Sequence, residues 1–200
     1  LFLIGTSAFR CSGSTTRIDQ VGSFVRVFVL GLDPGLSRCG YAVLQSTPGS
    51  PARAVAIGIL TTPPSRPVPE RLAELQRDLR ALFDEHPPAV VAVERVLFQV
   101  NVRTAMAVGQ ASGLAMAEAA GRGCEVVQYS PNEVKQAVTG YGAATKAQVQ
   151  LMVQTLLGLA APPSPPDAAD AAALALCHLA FEPTLRAVAR ADRAAAEAGR

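Results

Sequence analysis

An α/β fold built on a five-stranded mixed sheet flanked by helices is what this sequence predicts, and three observations carry the prediction. The run Arg26–Asp33 is followed by two more short apolar runs separated by a turn cluster, the signature of an antiparallel meander. Helical segments and further short apolar runs then succeed one another, which makes the tally mixed. Val90-Val91-Ala92-Val93 lacks polar alternation, as suits a central strand covered on both faces.

The elements follow in order. Residues 1–24 are rich in Ser, Thr and Gly without a sustained period and are expected to form a disordered extension. The chain begins with Leu, so a translation start near Val25 is expected. Arg26–Asp33 is the first strand, and Gly40–Gln45 and Ala52–Leu60 complete the meander around the turn cluster Ser46–Pro51. A helix opens at Pro69-Glu70, places Leu72, Leu75, Leu79 and Leu82 on one face, and stops at Pro87-Pro88. Ala89–Val93 is the central strand, Thr104–Gly121 a helix lined with small residues, and Glu125–Tyr129 the last strand. Pro131–Val138 and Thr145–Leu157 are helices about the Gly140-Tyr141-Gly142 turn. After the proline run 162–166, a final helix covers Asp167–Phe181. Residues 184–200 are expected to be a frayed tail, its Ala- and Arg-rich part from Arg186 helical at best, which leaves 25–183 as the folded domain.

Composition narrows the function classes. With 200 residues, half of them hydrophobic, one well-filled core is expected. A formal charge of +2 is too small for a general electrostatic footprint on nucleic acid, so any basic surface must be local. Arg is abundant while Lys occurs only at 135 and 146, which makes those two positions informative. Four cysteines without C-x-x-C spacing signal neither a zinc site nor a disulfide framework, and a cytoplasmic protein is expected. No apolar stretch reaches the ~18 residues of a membrane span.

Four carboxylates carry the chemistry. Asp33 and Glu94 each end an apolar strand, where a charge is costly without a counter-charge, and open sheets place ligands at the carboxyl ends of their strands. Asp167 and Asp170 sit one turn apart on a single face at the start of the last helix. Standing alone, Asp33 reads as a turn former and Asp167 as a helix cap. Together, four converging acids would repel and take up protons unless a cation joined them. Hard cations such as Mg²⁺ take oxygen ligands and share them with phosphate, so the chemistry expected is metal-assisted phosphodiester cleavage.

Three segments make the pattern specific: Val29-Leu30-Gly31-Leu32-Asp33-Pro34-Gly35 with Gly40-Tyr41, then Val91-Ala92-Val93-Glu94-Arg95-Val96, then Asp167-Ala168-Ala169-Asp170 with the Ala-rich run after it. With Gly109-Gln110-Ala111, Pro131–Lys135 and Lys146–Val149 also in order, residues 26–182 resemble the RuvC family of bacterial Holliday junction resolvases. The resemblance implies a ribonuclease H-like fold, a homodimer, and paired nicks in a four-way DNA junction during recombination and repair. It also implies two Mg²⁺ ions per subunit, with Mn²⁺ able to substitute, and cooperation with RuvA and RuvB. Carried over residue by residue, Asp33, Glu94, Asp167 and Asp170 are the catalytic metal ligands. Lys146 becomes a catalytic cation, and Lys135, Lys146, Arg95 and Phe98 DNA contacts. The family has an aromatic residue three positions after the catalytic Glu. Here Leu97 holds that place, and Phe98 is expected to supply the stacking surface. Small residues on Thr104–Gly121, among them Ala105, Gly109, Ser112, Gly113, Met116 and Ala120, are assigned by the same resemblance to the dimer interface.

Three rival classes are weighed against this. An actin- or sugar-kinase-like ATP-binding protein needs two phosphate-binding domains, and one strand-Asp-Pro-Gly motif is present. A nuclease of ribosomal RNA precursors would share the fold, and the Asp-Ala-Ala-Asp helix with the Lys135–Gln148 segment favours the resolvase over it. A binding module that recognises junctions without cutting has no use for the full acidic set.

Overall fold

Alternation along the strands decides how the layers form. The computed structural model describes residues 27–47, 49–95 and 102–198, with side chains described within 27–47, 49–95 and 105–182. In it, β1 (Val27–Asp33) turns into β2 (Arg38–Ser46) and β2 into β3 (Arg53–Thr61), both pairs antiparallel, which is the expected meander. α1 (Val68–Glu85) then crosses to β4 (Val90–Glu94), which pairs parallel with β1. α2 (Val102–Gly121) leads to β5 (Glu125–Tyr129), parallel to β4. The sheet order is β3-β2-β1-β4-β5, with β1 at the centre. α3 (Pro131–Thr139), α4 (Lys146–Leu157) and α5 (Pro166–Ala198) complete the chain.

Successive strand residues point to opposite faces. Val29, Ala42, Leu44, Val90 and Ala92 pack against Val134 and Val138 of α3, Val149 and Val153 of α4, and the Ala171–Cys177 run of α5. Leu30, Leu32, Val43, Val91 and Val93 pack on the other face against Leu75, Leu79, Leu82 and Phe83 of α1 and Ala111, Ala115 and Ala119 of α2. Both faces of β1 and β4 are therefore covered, as the unbroken apolar run at β4 predicts. Of the expected α1 stripe, Leu75, Leu79 and Leu82 are buried and Leu72 is partly so.

Most differences from expectation are of one or two residues at element ends. The larger one is α5, which runs to Ala198 through residues expected to be a frayed tail. Pro183 forfeits one backbone hydrogen bond, and the Ala- and Arg-rich residues beyond it favour helix strongly enough to continue. The expected extension, 1–24, lies outside the described residues.

Candidate active site

A strand that pairs on both sides has its direction fixed, so the residue at its end is aimed by its neighbours. The β1–β4 register matches Leu32 with Val93; continuing it by one residue sets Asp33 beside Glu94. On its other side Asp33 pairs with Gly40. The two remaining acids arrive on α5, and two glycines let that helix come close. A Cβ on Gly31 would lie 2.0 Å from Ala171 O, and one on Gly40 would lie 2.0 Å from Asp167 O. Only hydrogen at these positions admits the α5 backbone against β1 and β2, which carries Asp167 and Asp170 to the strand-end acids.

The electrostatics register the convergence. Burial, then the charges of Glu94, Asp170 and Asp167, push the Asp33 carboxyl from its ordinary 3.8 up to about 7, against an opposing pull from Lys146. Glu94 is raised too, first by burial and then by Asp170. Two cations of the chain answer the charge. Lys146 Nζ lies 2.6 Å from Asp170 Oδ2, and this bond raises the Lys146 pKa and keeps the ammonium charged. Arg38 Nε lies 3.2 Å from Asp167 Oδ2. That oxygen is buried and accepts no aligned hydrogen bond, so Arg38 offers attraction without full satisfaction.

Local sequence explains how Lys146 gets there. Thr145 caps α4, its Oγ1 accepting from Gln148 N at 3.3 Å while Gln148 Oε1 accepts from Thr145 N at 2.8 Å. This reciprocal pair fixes Lys146 as the first helical residue, directed at the start of α5. Ser130 and Glu133 cap α3 in the same way.

Oxygen donors only, a raised carboxyl and an orphaned buried oxygen are the chemistry a hard divalent cation satisfies. Among the described residues no three His, Cys, Asp or Glu side chains are placed so that they could hold a metal ion as they stand; Asp170 and Asp167 are paired with Lys146 and Arg38.

Comparison with known proteins bears on this arrangement. The family described as crossover junction endodeoxyribonuclease RuvC matches residues 29–178. This chain belongs to the RuvC family. A RuvC from Salinispora arenicola is 51% identical over 173 residues, spanning 86% of this chain and 99% of that one. The Thermus thermophilus RuvC structure superposes with a TM-score of 0.73 at 34% identity, covering 79% of this chain and 96% of that one. T. thermophilus RuvC in complex with Holliday junction substrate gives 0.72 at 32% identity, with the same coverage. The ribonuclease H-like fold expected from the motifs is thus the fold found.

Of the residues singled out in the sequence, the structure brings Asp33, Glu94, Asp167, Asp170 and Lys146 together. Lys135 is half-buried in a groove with Asn132, Gln136, Gly142, Ala143 and Phe181, and among the described residues no ion pair joins it to the four acids. Arg95 is exposed, with Nη2 donating to Gln128 O at 3.2 Å and its backbone N to Tyr129 O at 2.8 Å. Leu97 and Phe98 lie outside the described residues. On α2, Gly113 and Ala120 face outward, while Ser112 is 2% exposed and packs into the core. Sequence reasoning missed Arg38 and the two contact glycines. An isolated glycine inside an apolar strand signals close backbone approach, and Gly31 and Gly40 carried that signal.

Proposed function

We propose that Asp33, Glu94, Asp167 and Asp170 of this RuvC-family chain hold divalent metal ions, two Mg²⁺ per subunit with Mn²⁺ able to substitute, and that the nuclease domain, residues 25–183, nicks opposed strands of four-way DNA junctions. The observation that carries this is the meeting of four carboxylates from three separate segments, close enough to push Asp33 up to about 7. Bound there, such ions would make water a better nucleophile and offset charge on the phosphate. The chain's own groups do the rest. Asp33 and Glu94, whose carboxyls are raised by burial and by neighbouring acids, must give up any proton they hold to become ligands. Lys146 keeps a permanent positive charge at the cluster, where negative charge on a phosphate develops. Lys135, Arg95 and Phe98 contact the DNA, with the aromatic stacking on a base.

Two junction strands require two sites at a fixed spacing, which a homodimer supplies. The outward face of α2 supports this: Met106 is 61% exposed, and a Cβ at Gly109 or Gly113 would meet nothing. RuvA and RuvB are the branch-migration partners that fit this role, acting in recombination and repair in the cytoplasm. Among the described residues no helix is long and apolar enough to cross a membrane.

The test compares a synthetic four-way junction with a linear duplex of the same sequence, each with Mg²⁺ and with chelator. Symmetric Mg²⁺-dependent nicks confined to the junction are expected, together with an Asp33→Asn variant that binds but does not cut. Undiminished cutting by Asp33→Asn refutes the ligand assignment.

A further inference from the structure

Four residues, Pro34 to Ser37, separate Asp33 from Arg38, and the turn they make is tight: a Cβ on Gly35 would lie 2.3 Å from Arg38 O. One end of the turn delivers an acid of the cluster, the other the guanidinium that meets Asp167. What holds the turn comes from α1. Arg71 is only 9% exposed, yet among the described residues the hydrogen bonds of its side chain go to hydroxyls: Nε donates to Thr62 Oγ1 at 3.0 Å and Nη2 to Ser37 Oγ at 2.7 Å. Thr62, itself 3% exposed, then donates from Oγ1 to Leu36 O and from its backbone N to Ser37 O at 3.2 Å.

A buried guanidinium answered by neutral hydroxyls is an expensive way to fill space, and an apolar side chain would fill it without that cost. What the guanidinium adds is a rigid fork that grips two partners at once. One partner is a residue of the turn, and the other is already bonded to two of the turn's carbonyls.

We propose that Arg71 is a positioning residue of the nuclease: through Ser37 and Thr62 it fixes the Pro34–Ser37 turn, and so sets where Asp33 stands relative to Asp167. Neither end of the turn can shift independently while this bridge is intact. The inference rests on the assignment of Asp33 and Asp167 as metal ligands.

The test uses full-length Ser37→Ala and Arg71→Lys, the second retaining the charge but lacking the fork, with Arg71→Ala as the severe variant. Arg80→Gln, which removes the Arg80 bonds to Glu118 from the same helix, is the control. Four quantities are read: the nicking rate of a synthetic junction at saturating DNA, the Mg²⁺ midpoint of that rate, the rise in Tm that Mg²⁺ gives without DNA, and the junction Kd in chelator. Ser37→Ala and Arg71→Lys are expected to slow nicking roughly ten-fold, since displacements well under 1 Å matter at a reacting centre. They should also raise the Mg²⁺ midpoint several-fold and shrink the Mg²⁺-induced rise in Tm, with junction Kd unchanged. Arg80→Gln should lower Tm and leave rate and midpoint alone.

If Arg71→Ala does not fold, the two milder variants decide. Wild-type rate, midpoint and Mg²⁺ response in both of them overturn the proposal, whatever happens to Tm. A wild-type protein without Mg²⁺-dependent nicking, or an Asp33→Asn variant that cuts normally, overturns the ligand assignment beneath it.

Discussion

Gly40→Ala isolates the close approach of α5 from every charged group of the site. The added Cβ would stand 2.0 Å from Asp167 O and 2.6 Å from Asp167 C, both backbone atoms that no rotamer change can move. Ordinary contact begins near 3.4 Å, so the start of α5 must withdraw by about 1.4 Å or the β1–β2 edge must bend by as much. Overpacking of this kind costs ~1–3 kcal/mol, which for a domain of this size lowers Tm by roughly 3–10 °C. The effect on the reaction is larger, because the residue displaced is Asp167 itself, and a ~1 Å misplacement is worth up to ~10²-fold in rate. Single-turnover nicking at 25 °C, with folding checked by circular dichroism, should therefore fall by about two orders of magnitude in a folded protein. Gly58→Ala is the matched control. Its Cβ meets the end of the Tyr41 side chain, at 2.7 Å from the hydroxyl, and that ring can give way. Gly58→Ala should cost stability at most. A folded Gly40→Ala that nicks within two-fold of wild type would show that the approach of α5 does not set the site geometry.

Two further expectations follow from the same electrostatics and capping. In chelator, stability should fall as pH rises from about 4 to about 7, because in that window folded Asp33 retains a proton that the unfolded chain has lost. The change is on the order of 4 kcal/mol at most, at ~1.4 kcal/mol per pKa unit, and Asp33→Asn should flatten it; urea denaturation at pH 5 and pH 8 gives the answer, and an unchanged slope in the variant rejects the cause. Thr145→Ala removes the cap that fixes the first turn of α4 and should cost ~1 kcal/mol of stability while slowing nicking several-fold, since Lys146 loses its fixed position at Asp170. Equal nicking by Thr145→Ala and wild type would detach the cap from the chemistry.

The sheet was legible because its signals are local. Short apolar runs and the turn cluster between them specify strands without reference to the rest of the chain, and β1 to β5 all appear where those signals lie. The acids were legible for a different reason: Asp33 and Glu94 break apolar strands at their ends, and Asp167 and Asp170 share one helix face. What the residues alone did not yield is distance. Gly31 and Gly40 signal that some backbone comes close, but nothing near Asp33 in the sequence identifies it as α5, more than a hundred residues away. Arg38 was overlooked because one arginine among many in an Arg-rich chain has no distinguishing local context. The buried Arg71 was hidden in the same way, with its hydroxyl partners 34 and 9 residues distant. The tail beyond Phe181 gave two readings, helical or frayed, because its Ala- and Arg-rich composition favours helix but has no apolar period to dock it, and α5 follows the helical one to Ala198.

The dependence of the site on α5 also has a consequence in time. Asp33 and Glu94 leave the ribosome on strands that can already pair, while Asp167 and Asp170 come on the last helix of the chain. Until that helix is made and has settled over Gly31 and Gly40, a growing chain holds two of the four acids. A chain cut short before α5 would carry Asp33 and Glu94 without Asp167, Asp170 or the Ala171–Cys177 run that covers one face of the sheet, so under the proposed ligand assignment it should not nick DNA.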